Sequence, residues 1–348
     1  MNGDDEILFE RRGGLGIVTL NRPQALNTLS LAMYRRFNPA LIAWAGDPAV
    51  RAVLVRGAGD RAFCAGGDVV AIYEARQRGE RLDDAANDFF REEYTLVRRV
   101  HRLPKPYIAL MDGVTMGGGA GIAVNGAIRI ATERTLFAMP EVQIGLFPDV
   151  AASRFLNLCP GRIGIYLALT GKRVGPADAL YCGFATHFVP HARLAALTEA
   201  LAADPGVALA AYVDDSGPAV LPGLQPAIDR VFAGDSVAAI MDALAREEGA
   251  WAREASEAMA RASPLSLAIT FRQLQLGRAM DVEAALVLEY RLTQHCLKAH
   301  DFFEGIRALL VDKDRKPRWQ HASVADVGAA ELDAYFAPIG ARELTFAD

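Results

Sequence analysis

The feature that most constrains this chain is a rhythm repeated three times within its first 150 residues. A short β-type run leads into a glycine-rich turn, followed by small residues or a helical stretch. The turns are Ala65-Gly66-Gly67-Asp68, Met116-Gly117-Gly118-Gly119 and Gln143-Ile144-Gly145-Leu146. Runs rich in apolar and β-branched residues stand at 16–20, 52–55, 107–111, 129–132 and 136–139, each bounded by Gly, Pro, Asn or Asp or by the polar pair Glu133-Arg134. Residues 29–44 and 68–78 read as helices between them. The spacing of the turns is irregular, which makes this a structural rather than a sequence repeat. It suits stacked β-β-α turns or an open α/β sheet.

After about Pro190 the texture changes. Strand-like runs give way to alanine-rich amphipathic segments, such as 240–262 with Ile240, Leu244, Trp251, Ala255 and Met259 near one face, and the tail reads as helical over 282–300. At about 150 residues per domain, 348 residues suggest two domains. The motif map places a catalytic core at 1–190 and a mainly helical region at 191–348.

Composition excludes several classes of function. With 52% hydrophobic and 23% charged residues the chain is an ordinary globular one. Its net charge of −5, from 37 basic and 42 acidic side chains, comes with no basic stripe, so no nucleic-acid partner is expected. Cys64, Cys159, Cys182 and Cys296 are far apart and have no zinc spacing, as befits free thiols in a reducing compartment. No run approaches roughly eighteen apolar residues, so no membrane span is expected. The acidic start MNGDDEILFE lacks the apolar core of a secretory signal. These features lead to the expectation of a soluble cytoplasmic enzyme without a metal.

Familiar nucleophile and phosphate motifs are missing. There is no G-x-S-x-G elbow and no P-loop, and the triple glycine fails G-x-G-x-x-G because Ile122 occupies the last position. His187 and His191 are separated by Pro190, which prevents a clean helical pair. What remains is glycine and carboxylate. Bare glycines in Cys64-Ala65-Gly66-Gly67-Asp68 and in 115–121 could leave two backbone N–H groups open to a developing negative charge; tight strand–helix packing explains them equally well. Glu141 follows a β-run and a proline. Asp149 sits in an apolar loop with Ile144, Leu146 and Phe147, where desolvation favours acid–base work, and where a capping or turn role is the plain alternative.

AFCAGGD at 62–68, DGVTMGGGAGIA at 112–123, FAMPEVQIGLFPD at 137–149 and LTGKRVGPADALYCGFATHFVP at 169–190 together resemble the successive signatures of the crotonase, or enoyl-CoA hydratase/isomerase, superfamily. MPEVQIGLFPDV at 139–150, FFREEY at 89–94, SPLSLAITFRQL at 263–274 and DFFEGIRALLVDKDRKPRW at 301–319 resemble its 3-hydroxyisobutyryl-CoA hydrolases. The resemblance implies an α/β spiral of β-β-α turns with a helical C-terminal region, acting on an acyl-CoA substrate. Hydratases of the superfamily carry a catalytic Glu shortly after the triple glycine, where this chain has Gly121, and a second at the position of Glu141. The resemblance therefore implies thioester hydrolysis, with Gly67 and Gly118 as the oxyanion hole and Glu141 and Asp149 as the catalytic pair. Glu93, Ala65, Gly66, Asp68 and Gly117 would contact substrate, with Arg22, Lys313 or Arg315 near the coenzyme A phosphates. Glu93 also reads as part of a solvated charged face, Arg91-Glu92-Glu93. Coenzyme A would be part of the substrate, leaving no resident cofactor. A homo-oligomer is among the expectations, since superfamily members commonly trimerise through such helices. The alternatives are a hydratase or isomerase using Glu141 alone, or a non-catalytic CoA- or RNA-binding member.

Overall fold

A computed structural model describes residues 6–82, 88–206 and 209–346. Part of the segment read for a secretory signal, residues 1–5, lies outside the described residues. The strands are β1 (Ile7–Arg12), β2 (Leu15–Leu20), β3 (Ala52–Gly57), β4 (Ala62–Cys64), β5 (Tyr107–Met111), β6 (Val114–Met116), β7 (Ile128–Ala131), β8 (Leu136–Ala138) and β9 (His187–Phe188). They form a six-stranded sheet in the order β1-β2-β3-β5-β7-β9 and a three-stranded sheet in the order β4-β6-β8. Among the described residues, β1–β2 is the only antiparallel pair of these strands.

The topology explains the rhythm of the sequence. After β3, β5 and β7 the chain makes a short turn and continues in the next strand of the small sheet, β4, β6 and β8. Each β-β step thus advances both sheets by one strand, and the expected stacked β-β-α turns are what forms. In the large sheet residues 52–55 of β3 and the whole of β5 are buried on both faces, which is why they read as continuous apolar runs rather than as alternating ones. On one face Leu15, Ile17, Ala52, Leu54, Ile108, Leu110 and Ile130 pack against Leu194, Leu197 and Leu201 of the helix Leu194–Ala203.

The described residues form two compact units. One, spanning 1–68, 92–138 and 174–220, contains both sheets; the other, spanning 69–91, 139–173 and 221–348, is helical. The division differs from a single cut at 190, because the chain leaves the sheet unit after β4 and again after β8 and returns at 92 and 174. Within the helical unit the stretch 240–262 is two helices, Val237–Arg246 and Ala250–Arg261. Gly249, at φ +102, stands between them in a conformation that a continuous helix does not contain.

Four helices matter for the site: α1 (Leu31–Gly46), α2 (Val69–Gln77), α3 (Phe89–Arg102) and α4 (Gly118–Val124). The Ser30 hydroxyl accepts from the Met33 amide and starts α1, whose inner face carries Met33, Tyr34, Phe37 and Leu41. Along α3 the buried positions Phe90, Glu93, Val97 and Val100 recur at helical spacing, which puts Glu93 on the inward face.

Candidate active site

The three parallel strands of the small sheet end side by side, with Cys64 paired to Thr115 and Met116 to Ala138. Gly67, Gly118 and Glu141 follow these carboxyl ends by three, two and three residues in the sequence. Parallel α/β sheets generally present their ligand-binding residues beyond the carboxyl ends of strands.

Within the sheet unit, two backbone amides and a buried carboxylate converge. The strand-like bridge between Leu29 and Gly67 takes the Gly66 carbonyl, as acceptor from the Leu29 amide, and the Asp68 amide, as donor to the Leu29 carbonyl. This pairing leaves the intervening Gly67 N–H pointing away from it. Gly118 is the first residue of α4, where an N–H has no intrahelical acceptor. Among the described residues neither amide donates to the protein. The positions are close. A methyl group built on Gly118 would lie 3.2 Å from the Gly67 nitrogen, and one on Gly66 would lie 3.6 Å from the Gly118 nitrogen. Gly66 at φ +114 and Gly117 at φ +51 make these turns possible.

The bare α-carbon of Gly118 also faces Glu93, whose Oε1 would stand 2.2 Å from such a methyl group. Glu93 is 3% exposed and accepts a 2.5 Å hydrogen bond from the Tyr34 hydroxyl. It is therefore not part of a solvated face. Tyr34 went unread in the sequence, although its place on the apolar stripe of α1 was visible. Beneath the glycines, burial pushes the Cys64 thiol up to about 12, with the Glu93 charge adding to the effect.

The helical unit holds the other two candidates. Glu141 opens a one-turn 3-10 helix, Glu141–Ile144, and is 5% exposed. The Ser263 amide donates to the Val142 carbonyl and the Gln143 side chain donates to the Ala258 carbonyl, fixing this turn from two sides. Gly145 closes it at φ +73, and a side chain there would strike the Asp301 carbonyl at 2.2 Å. Asp149 is 4% exposed among the buried Leu146, Phe147 and Val150.

The residues after Asp149 are strained. Val150 and Ala151 both adopt the left-handed region, at φ +56 and +71, which for residues other than glycine costs of order 1–3 kcal/mol each. Glu289, wholly buried on the helix Val282–Cys296, accepts hydrogen bonds from the Ala151 amide at 2.6 Å, the Ser153 amide at 2.8 Å and the Ser153 hydroxyl at 2.7 Å. Gln273 donates to the Pro148 carbonyl at 2.6 Å and to the Ser153 hydroxyl at 2.9 Å. Burial pushes the Glu289 carboxyl up to about 8 against these donors, and the Asp149 charge adds to the rise. Neither Glu289 nor Gln273 was read as functional from the sequence. Glu289 does interrupt the apolar stripe Val282, Ala285, Leu286, Leu292, Cys296 at a stripe position.

The remaining candidates are placed as follows. Asp68 binds the Arg22 guanidinium at 2.8 Å, and Arg22 also pairs with Glu6 and donates to the Thr28 carbonyl. Arg22 is thus engaged within the protein rather than held out as a phosphate ligand. Ala65 donates its amide to the Leu26 carbonyl. Lys313 and Arg315 are exposed, both with positive φ. Among the described residues no helix is long and apolar enough to cross a membrane.

A family model described as enoyl-CoA hydratase/isomerase matches residues 15–336. The chain belongs to the enoyl-CoA hydratase/isomerase family. Its fold is the crotonase fold of that family, with a helical C-terminal region. Among curated members, 3-hydroxyisobutyryl-CoA hydrolase from Xenopus laevis is 44% identical, over 98% of this chain and 91% of its own. The enzyme of that name from Rattus norvegicus is also 44% identical with the same coverage. A crystal structure of an enoyl-CoA hydratase from Rhodobacter sphaeroides is 42% identical and superposes with a TM-score of 0.92, over 98% of this chain and all of that one. A carnitinyl-CoA dehydratase from Mycobacterium thermoresistibile matches at 42% and 0.92, over 98% and 99%. The curated family members carry the word mitochondrial in their names, which overturns the expectation of a cytoplasmic protein.

Proposed function

We propose that this chain hydrolyses the thioester of a short 3-hydroxyacyl-CoA, of the 3-hydroxyisobutyryl-CoA kind, to the free hydroxy acid and coenzyme A. The names of the curated relatives support the reaction. The observation that carries it in this chain is chemical: two buried carboxylates, Glu141 and Asp149, with a bare and buried Gly121 on α4 where hydratases of the family carry their other Glu. Adding water across a double bond uses that pair; hydrolysis of a thioester does not.

In this reading the amides of Gly67 and Gly118 hold the thioester oxygen as it gains charge, a role worth about 2.7–4 kcal/mol per donor. Glu141 acts on the thioester carbonyl. Asp149 positions the 3-hydroxyl and assists proton transfer, and Glu93 hydrogen-bonds the same hydroxyl. Ala65, Gly66, Asp68 and Gly117 shape the turns against which the acyl-CoA rests. Coenzyme A arrives and leaves as part of substrate and product, and the chemistry requires no resident cofactor.

The names of the two solved structures favour a second reading, hydration of an enoyl-CoA, or the reverse loss of water from a hydroxyacyl-CoA, through Glu141 alone. One panel separates the two. Purified protein is offered 3-hydroxyisobutyryl-CoA, 3-hydroxypropionyl-CoA and crotonyl-CoA, with free thiol and enoyl absorbance followed together. Thiol release from the hydroxyacyl esters, abolished in Glu141→Gln, is the expected result. Loss of enoyl absorbance without thiol release would establish the second reading.

A further inference from the structure

The buried Glu289 has no part in the reaction as assigned above, yet it holds the segment that carries Asp149. We propose that Glu289 is a positioning residue for Asp149, acting through the strained turn 148–151; the inference rests on the assignment of Asp149 to the reaction. Three observations converge on it. First, Val150 and Ala151 are held in the left-handed region, a conformation that a β-branched residue such as valine adopts only under constraint. Second, hydrogen bonds on both sides of Asp149 supply the constraint. Gln273 pulls on the Pro148 carbonyl before Asp149, and Glu289 receives the Ala151 and Ser153 amides after it. The two clamps are joined through the Ser153 hydroxyl, which accepts from Gln273 and donates to Glu289.

Third, the clamp is placed where no solvent can replace it. Glu289 is fully buried, and the helix Val282–Cys296 that carries it packs against the short helix Ala152–Phe155 that follows the turn. Water cannot satisfy the Ala151 or Ser153 amides if the carboxyl is lost. The two carboxyls also sense each other, since the Asp149 charge contributes to the upward shift of Glu289. A purely structural buried acid would be an expensive way to fill this space. One that fixes the backbone on either side of a catalytic carboxylate has a use commensurate with its cost.

The test is a double-mutant cycle on turnover of 3-hydroxyisobutyryl-CoA. Glu289→Gln keeps the shape, but its NH2 has no lone pair to offer, whereas each carboxyl oxygen can accept even when the group is protonated, so either the Ala151 amide or the Ser153 amide loses its acceptor. Because small misplacements of reacting groups are costly, kcat should fall about tenfold to a hundredfold. KM should stay within about twofold, as expected when an interaction made only in the transition state is lost. In an Asp149→Asn background the same change should cost nothing further. A folded Glu289→Gln enzyme with undiminished kcat overturns the inference, and so does an equal loss in both backgrounds, which marks a structural role. Failure of the underlying reading looks different: Asp149→Asn alone would then turn over normally. Circular dichroism reports whether Glu289→Gln folds. If it does not, Ser153→Ala, which cuts only the hydroxyl link between the clamps, should lower kcat in the same direction, and an unchanged kcat there overturns the inference.

Discussion

Replacing Gly118 by Ala separates the chemistry of the two amides from the stability of the fold. Gly118 is not among the glycines of positive φ, so alanine suits its backbone, and in a helix alanine is favoured over glycine by about 1 kcal/mol. The obstacle is space. The new methyl would stand 2.2 Å from Glu93 Oε1 and 3.2 Å from both the Gly67 nitrogen and the Tyr34 hydroxyl, against an ordinary contact of at least 3.4 Å. Glu93 is buried and tied to Tyr34, so it cannot swing into solvent. Overpacking of this kind costs about 1–3 kcal/mol, partly offset by the helix propensity, so the melting temperature should drop by only a few degrees. The methyl would also occupy the space in front of the Gly67 amide. Loss of one oxyanion donor then costs about 2.7–4 kcal/mol of barrier, or 10²–10³ in kcat. Thiol release measured with a chromogenic disulfide, beside a thermal melt, reads both quantities. Gly223→Ala, where the methyl would meet nothing within 4 Å, is the control and should leave kcat unchanged. Adding Glu93→Ala removes the collision but not the obstruction, so activity should stay low. A Gly118→Ala enzyme within about threefold of the parent kcat would refute the oxyanion assignment.

Three further outcomes follow from individual side chains. Tyr34→Phe removes a donor from a buried carboxylate and should cost about 1.5–3 kcal/mol in urea unfolding; a change below about 0.5 kcal/mol would mean that Glu93 has no need of it. All four cysteines are buried, and burial raises the Cys64 thiol far from its reactive range. The native protein should therefore be inert to a thiol reagent on the scale of minutes and release four equivalents after denaturation. Glu289 rises from its ordinary 4.5 to about 8 on folding, so between those values the folded state keeps a proton that the unfolded chain has lost. Its stabilising contribution is complete below the lower value and lost as pH passes through the upper one, with a slope of at most about 1.4 kcal/mol per unit. Glu289→Gln should abolish that slope in unfolding series between pH 5 and 9, and an unaltered slope would assign it elsewhere.

Local sequence pattern revealed the spiral and concealed part of its site. Tyr107–Met111 was legible because Pro104, Pro106 and Asp112-Gly113 bracket a wholly apolar run. Ile7–Arg12 was not, since an edge strand facing solvent carries Glu10, Arg11 and Arg12 and loses the apolar signal. The three-residue strands β4 and β6 are too short for any period to register. Glycines and carboxylates near strand ends stood out, so Gly67, Gly118, Glu141 and Asp149 were readable as candidates. Their supports, Tyr34, Gln273 and Glu289, were hidden because each lies on a helix, far away in sequence, and a single polar residue in an apolar stripe looks like an error in the pattern. Glu93 was ambiguous for the same reason. Its neighbours are charged, and only the stripe of Phe90, Val97 and Val100 shows which way it faces.

The alternation of the chain between its two units bears on how the protein can be made. Residues 69–91 belong with a unit most of which is encoded beyond residue 221. Asp88 receives the Tyr290 hydroxyl across 202 residues, Arg91 reaches the same hydroxyl across 199, and Arg76 finds the Leu297 carbonyl across 221. At synthesis rates of about 5–20 residues per second, roughly 10–40 s separate the emergence of α2 from that of its partners. During that interval the apolar faces of α2 and of the start of α3 have nothing native to bury against. The nascent chain therefore carries these faces uncovered over that interval, and slowing its translation should lengthen their exposure rather than help it fold.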